Sequence, residues 1–94
     1  ELGGNLENFL YLGDGIYSFA YRNDGDLRFY YCAVGSNQLF EYNYTTGVKT
    51  QLSWNSPSLS CDSKAQNIIY NSERNSIIFQ GIENGFGVIA EYSL

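Results

Sequence analysis

The chain contains no histidine and no methionine, and it has only one tryptophan and one proline among its 94 residues. Without histidine, neither a Ser-His-Asp nor a Cys-His arrangement can form within the chain, and the commonest general base is missing. A zinc site of the usual type is also excluded, because two cysteines alone do not supply its ligands. We therefore expect no metal, no cofactor and no catalytic centre.

Basic residues are also few, and they are scattered along the chain. Ten acidic residues outnumber five lysines and arginines, which gives a formal net charge of −5. Binding to nucleic acid or to an anionic membrane needs clustered cationic side chains, so these partners are not expected. No apolar run approaches the roughly 18 residues of a membrane-spanning helix, so membrane insertion is not expected either.

The two cysteines bear on compartment and stability. Cys32 and Cys61 form either one disulfide or two buried thiols, and a composition rich in Asn, Ser and Tyr favours the disulfide and an extracellular or extracytoplasmic location. Asn43 begins an Asn-Tyr-Thr sequon and is a candidate glycosylation site. The chain begins with Glu1 and lacks methionine, so we expect a processed chain or a piece of a longer protein.

Strand signals run through the whole sequence, whereas helical spacing of apolar residues is absent. Residues 16–21 and 27–34 alternate in the period of two that places aromatic side chains on one face of a strand. The Asp24-Gly25 step between them predicts a tight hairpin, and this explains Asp24 and Asp26 better than a cation site does. The sequence therefore predicts an all-β fold.

The second half of the chain repeats the first at a spacing of 50 residues. This spacing superimposes Phe29 on Phe79, Leu39 on Ile89, Glu41 on Glu91 and Tyr42 on Tyr92. Such a period is typical of arrays in which each unit is a small sheet that cannot bury its faces alone. We predict two antiparallel β-meanders, with repeat 1 at about 16–54 and repeat 2 at about 65–94. Residues 1–12 are expected to complete the second repeat.

Residues 39–52, which read LFEYNYTTGVKTQL, resemble part of a β-propeller blade of the kelch and TolB-like kinds. The matching part is the third strand, the turn and the outer strand, and the resemblance extends over both repeats. It implies a propeller-blade-like architecture without a specific activity. A propeller ring needs at least four blades. The resemblance therefore implies a homo-oligomer, or additional blades from another chain.

The two-repeat length is also similar to that of the fucose-binding propeller lectins, whose short chains assemble into a ring. In that family an arginine and a glutamate bind the sugar beside an aromatic ring. The resemblance implies that Arg28 and Glu41 would bind it here, with Tyr42 or Trp54 as the stacking platform. Tyr44 lies near the same strand end, where exposed rings stack on sugars or anchor protein partners.

The expected function is a non-enzymatic binding or scaffolding module of β-propeller type with a protein or glycan ligand. One alternative is a carbohydrate-binding lectin assembled as an oligomeric propeller. Another is a fragment of a larger propeller enzyme with its catalytic groups on other blades. Glu41 and Glu91 are the carboxylate pair that a glycosidase would need, but blade packing explains them more simply. A free-standing β-sandwich would leave the repeat without a cause.

Overall fold

A computed structural model describes residues 3–94 of the chain. This range forms eight β-strands in two antiparallel sheets, which confirms the predicted all-β class. No helix in it is long and apolar enough to cross a membrane. The strands are β1 (Phe19–Asn23), β2 (Leu27–Cys32), β3 (Leu39–Asn43), β4 (Lys49–Leu52), β5 (Leu59–Cys61), β6 (Ile68–Asn71), β7 (Ser76–Glu83) and β8 (Phe86–Ser93).

The first sheet is a four-stranded meander in the order β1-β2-β3-β4. Gly25 has a φ of 115° in the turn from β1 to β2, which confirms the hairpin that the Asp-Gly step predicts. The turn from β3 to β4 is shaped by Asn43, whose Oδ1 accepts the backbone amides of Thr45 and Thr46 at 2.9 and 3.0 Å. Local turn chemistry thus sets the order of this sheet.

The second sheet is built around β7 and differs from a simple meander. One edge of β7 pairs with β8 over its full length, from Ser76 with Ser93 to Glu83 with Phe86. The other edge pairs with β6 at its first half and with β5 at its second half. Asn84 and Gly85 form the tight turn to β8, and both have positive φ, as a two-residue hairpin loop of this kind requires.

Within the described range, the strands of the two sheets correspond except at two positions, since β5 has no counterpart in the first sheet and β4 has none in the second. β1, β2 and β3 have counterparts in β6, β7 and β8, whereas no strand in residues 3–94 lies outside β8 as β4 lies outside β3. Of the segment predicted to supply it, residues 3–12 form no strand here, and residues 1 and 2 lie outside the described range. Completion of the second repeat stays a prediction.

The core lies between the two sheets. Tyr30, Leu39 and Leu52 of the first sheet pack against Ile77 and Phe79 of the second, all at 8% exposure or less. Alternation along each strand sends these side chains to the inner face and their neighbours to the outer face. The packing therefore joins the two repeats into a single core.

A disulfide between Cys32 and Cys61 closes one end of this core, which decides between the two states expected for the cysteines. It joins the end of β2 to the end of β5, and the two Cα atoms are 6.1 Å apart, within the usual range. Disulfides persist in oxidising environments and are rare in the reducing cytosol. Because Cys32 belongs to the first sheet and Cys61 to the second, the disulfide links the two sheets covalently.

Candidate functional site

Both outer faces of the two-sheet stack carry apolar side chains. The outer face of the first sheet is here called the aromatic face and consists of Phe19, Tyr21, Phe29, Tyr31, Phe40 and Tyr42. The outer face of the second is called the isoleucine face and consists of Ile69, Ile78 and Ile89. Phe19, Tyr21, Ile69 and Ile89 are each more than half exposed. Open apolar faces of this kind mark interaction surfaces more often than isolated exposed residues do.

An apolar cleft crosses the aromatic face. Its walls are the sheet itself and the segment that precedes β1, and its lining consists of Leu10, Leu12, Ile16, Phe19, Phe29 and Tyr31. The rings of Phe19 and Phe29 meet edge to face, with their centroids 5.6 Å apart. Tyr44 extends the row, since its ring lies 6.3 Å from that of Phe29. The cleft would accept an apolar side chain from a partner.

Lys49 and Asp14 fix the segment that forms the outer wall of this cleft. The Lys49 ammonium forms an ion pair with the Asp14 carboxylate and lies 4.4 Å from the centre of the Phe40 ring. The hydrogen bond that the Lys49 ammonium donates to the Asp14 carboxylate raises the pKa of Lys49 above its usual value. Burial raises the pKa of the Tyr31 hydroxyl at the floor of the cleft above its usual value.

Arg28 and Glu41, the residues implied by the lectin resemblance, lie on the inner face of the first sheet. Glu41 Oε2 accepts a hydrogen bond from the Tyr30 hydroxyl at 2.8 Å, and Arg28 Nη2 lies 3.3 Å from Asp26. Burial, and then the hydrogen bond to Glu41, raise the pKa of Tyr30 well above its usual value. The carboxylate of Glu41 is therefore bound to a buried tyrosine of its own sheet, on the face that packs on the second sheet.

Arg22 belongs to the same group, and the site prediction did not include it. Its side chain is only 9% exposed, and its Nη1 donates to Asn75 Oδ1 at 2.9 Å across the interface. The guanidinium also lies 5.9 Å from the centre of the Tyr70 ring, and its Nε, like that of Arg28, has no hydrogen-bond partner. Strand alternation from Ala20 indicates that this side chain points inward, but it does not indicate what the arginine contacts.

The proposed stacking platforms are not beside Arg28 and Glu41. Tyr42 lies on the aromatic face, on the opposite side of the sheet. Trp54 lies against the second sheet, where its ring stacks on Phe79 with the centroids 5.6 Å apart. The structure thus brings the arginine and the glutamate to one face and distributes the aromatic residues over other surfaces. Whether any of these residues binds a ligand stays a prediction.

Two further features predicted from the sequence have clear positions. Asp24 and Asp26 lie beside Arg22 and Arg28, in the hairpin turn. Residues 3–94 contain no group of three or more His, Cys, Asp or Glu side chains that could hold a metal ion. Asn43 is half-buried and shapes its own turn, and its glycosylation stays a prediction.

Glu41 and Glu91 do not share a cleft. Glu91 lies on the outer face of the second sheet, where Ser76 Oγ and Arg74 Nε donate to its Oε2 at 2.6 and 2.7 Å. These two hydrogen bonds lower the pKa of Glu91. The two carboxylates therefore lie on different faces of different sheets, unlike the paired carboxyls of a glycosidase.

Comparisons of the chain with protein-family models, with curated proteins and with solved structures found no match. The propeller resemblance stays a prediction that rests on the repeat spacing and the strand-turn pattern. The structure contributes the geometry of the aromatic face with its cleft, and that of the isoleucine face.

Proposed function

We propose that this chain is a non-enzymatic binding and scaffolding module of β-propeller type, and that its principal partner is another copy of itself. The observation that carries this proposal is the pair of apolar faces at opposite ends of the two-sheet stack. In this arrangement the isoleucine face of one copy packs on the aromatic face of the next. The apolar cleft beside Phe29 receives an isoleucine side chain from that partner.

The 50-residue repeat supports this pairing of unlike faces. Phe79 lies under the inner face of the first sheet, and its counterpart Phe29 lies on the aromatic face, where no sheet covers it. The counterpart of Arg28 on the inner face of the first sheet is Ile78 on the isoleucine face. If the isoleucine face of a second copy packed on the aromatic face, it would cover Phe29 as the first sheet covers Phe79. Replacement of the arginine by isoleucine makes the covering face more apolar, which favours association.

A contact between two different faces has a consequence for assembly. Such heterologous contacts close into a ring if the rotation per copy allows it, and otherwise they grow into a filament. A ring of four or more sheets needs at least two copies of this two-sheet chain. We propose an extracellular or extracytoplasmic location for the assembly, which the disulfide supports.

The solution mass of the oxidised chain, measured by light scattering at micromolar concentration, tests this proposal. The wild type should form a multimer, and Ile89→Lys should reduce its mass to that of one chain. Val48→Lys is the matched control, because Val48 is an exposed apolar residue in the turn between β3 and β4, outside both faces. A wild-type mass of one chain would contradict the proposal, and so would equal effects of the two substitutions.

A second candidate function is carbohydrate binding, in keeping with the lectin alternative. The observation that favours it is a cleft of neutral polar side chains beside Trp54, away from Arg28 and Glu41. The third alternative, a fragment of a larger propeller enzyme, gains no support from the contacts of the described residues.

A further inference from the structure

A polar cleft lies where the ends of β3 and β4 meet the loop that leads to β5. Its lining includes the side chains of Asn37, Gln38, Gln51, Ser53, Trp54 and Ser56. Five of these six carry a neutral amide or hydroxyl group, and no residue that lines the cleft has a formal charge. The cleft on the aromatic face has an almost wholly apolar lining, so the two clefts suit different ligands.

Two glutamines form the polar wall of this cleft. Gln51 Nε2 donates to Gln38 Oε1 at 2.6 Å, which holds the two amides in a fixed relative orientation. Each amide group has two donor hydrogens and a carbonyl oxygen with two acceptor positions. One hydrogen bond between them uses one donor and one acceptor position, so both donors and acceptors remain for a ligand.

Trp54 adds an aromatic ring to the lining of this cleft. Its Nε1 donates to the Leu59 carbonyl oxygen at 3.0 Å, and its ring stacks on Phe79 at an interplanar angle of 27°. The edge contact with Tyr92 restrains the ring further. The indole is nevertheless half-buried and lines the cleft, so a ligand meets a ring whose orientation is already set. Such preorganisation lowers the entropic penalty of binding.

We infer that this cleft binds a neutral carbohydrate. A sugar presents hydroxyl groups that both donate and accept hydrogen bonds, and it presents C–H faces that pack on an aromatic ring. The amides and Ser53 match the first property, and the Ser56 hydroxyl, which donates to Glu83 Oε1 at 3.1 Å, can still accept a hydrogen bond. Trp54 matches the second property. An ionic ligand would find no counter-charge in the lining, and an apolar ligand would leave the amides unpaired. The volume of about 180 Å³ is below that of typical drug-sized pockets and suits one sugar unit.

This inference rests on the carbohydrate-binding candidate, which it deepens, and it does not depend on the scaffold proposal, because the cleft lies within one copy. Trp54 is the only tryptophan in the chain, so fluorescence excited at wavelengths beyond the absorption of the nine tyrosines comes from this indole. The probes are methyl glycosides of glucose, galactose, mannose, fucose and N-acetylglucosamine, with glucuronic acid as the charged counterpart of glucose. At least one neutral glycoside should produce a saturable change in Trp54 emission, and glucuronic acid should bind more weakly than glucose.

A pair of matched substitutions tests whether the sugar binds in this cleft or elsewhere on the surface. Gln51→Ala should weaken binding by about three- to tenfold, the loss expected for one neutral hydrogen bond. Gln66→Ala is the matched control, because Gln66 is an exposed glutamine outside the cleft, and its affinity should equal that of the wild type. The same titration in the Ile89→Lys variant should give the wild-type affinity. The sugar-binding result can therefore be interpreted even if the chain does not self-associate.

The absence of a saturable change with every neutral glycoside at millimolar concentration would overturn the inference. Tighter binding of glucuronic acid than of glucose would also overturn it, because the site would then not be neutral. Equal weakening by Gln51→Ala and Gln66→Ala would show that the sugar binds elsewhere.

Discussion

Phe29 and Phe79 occupy equivalent positions in the two repeats, yet their surroundings differ. Phe79 is 4% exposed, lies between the two sheets and stacks on Trp54, whereas Phe29 is half-buried on the aromatic face beside an open cleft. The same aromatic position in a strand is thus core in one sheet and surface in the other. Burial of this position therefore depends on whether another sheet covers its face. The aromatic face of the first sheet is open, whereas the equivalent face of the second sheet is covered by the first sheet.

The largest expected effect is the difference between these two phenylalanines in stability. Phe79→Ala should lower the free energy of unfolding by about 3–5 kcal/mol, since it removes a buried ring and leaves a cavity. Phe29→Ala should cost less than half as much when both are measured by urea unfolding in the monomeric Ile89→Lys background. Equal losses would contradict the distinction between a covered face and an open one.

The second-largest effect on stability should come from the loss of the disulfide. Cys32 and Cys61 are 29 residues apart in sequence, and a cross-link of this span stabilises a domain by about 2–4 kcal/mol. The urea midpoint of the oxidised chain should therefore fall on reduction, and Cys32→Ser with Cys61→Ser should reproduce the reduced value. In that double variant the reductant should have no effect. An unchanged wild-type midpoint would argue against a stabilising link between the sheets.

A smaller effect is expected from Tyr30 on the inner face. Because the pKa of Tyr30 is raised, the folded chain keeps the Tyr30 hydroxyl proton above pH 10.0, where the same tyrosine in the unfolded chain releases it. Stability is therefore retained below pH 10 and falls as the pH rises above it. Tyr30→Phe should lower stability at neutral pH by about 1 kcal/mol, through the lost hydrogen bond to Glu41, and should flatten the alkaline decline.

The control for this measurement is Tyr11→Phe, at a tyrosine that is 88% exposed. Its alkaline unfolding curve should match that of the wild type. A Tyr30→Phe variant with an unchanged alkaline decline would show that this buried hydroxyl is not its cause.

The smallest effect should come from Glu91 on the outer face of the second sheet. Its pKa is lowered by Ser76 and Arg74, so its contribution is present above its usual value of 4.5 and is lost as the pH falls through the lower folded value. Glu91→Gln should slightly reduce the dependence of stability on pH in acid unfolding curves. The exposed Glu73→Gln is the control, and an equal change in both variants would contradict a specific role for Glu91.

The sequence was sufficient to predict the all-β class and the tight hairpin at Gly25, because strand alternation and turn chemistry act over a few residues. The 50-residue repeat also predicted that β1, β2 and β3 correspond to β6, β7 and β8. It did not indicate that β5 would pair with the edge of β7, since this short strand has little pattern of its own. That pairing depends on Cys61, Gly81 and the disulfide, which act at long range.

Site residues were less predictable than strands. The positions of Arg28 and Glu41 on one face follow from alternation and hairpin register, but the function of Glu41 as a partner of Tyr30 does not. Trp54 stays a predicted ligand platform, whereas Gln38 and Gln51, which line the same cleft, had no distinguishing signal in the sequence. A cleft formed by a loop and two strand ends is a property of tertiary packing, which a local pattern does not contain.

The central claim is that unlike faces of two copies pack together, and a mixing experiment tests it most directly. Phe29→Lys blocks the aromatic face and leaves the isoleucine face free, while Ile89→Lys does the reverse. Each variant alone should have the mass of one chain by light scattering, and an equimolar mixture should form a complex of one copy of each. A mixture that stays at the mass of one chain, or a variant that associates alone, would contradict the claim.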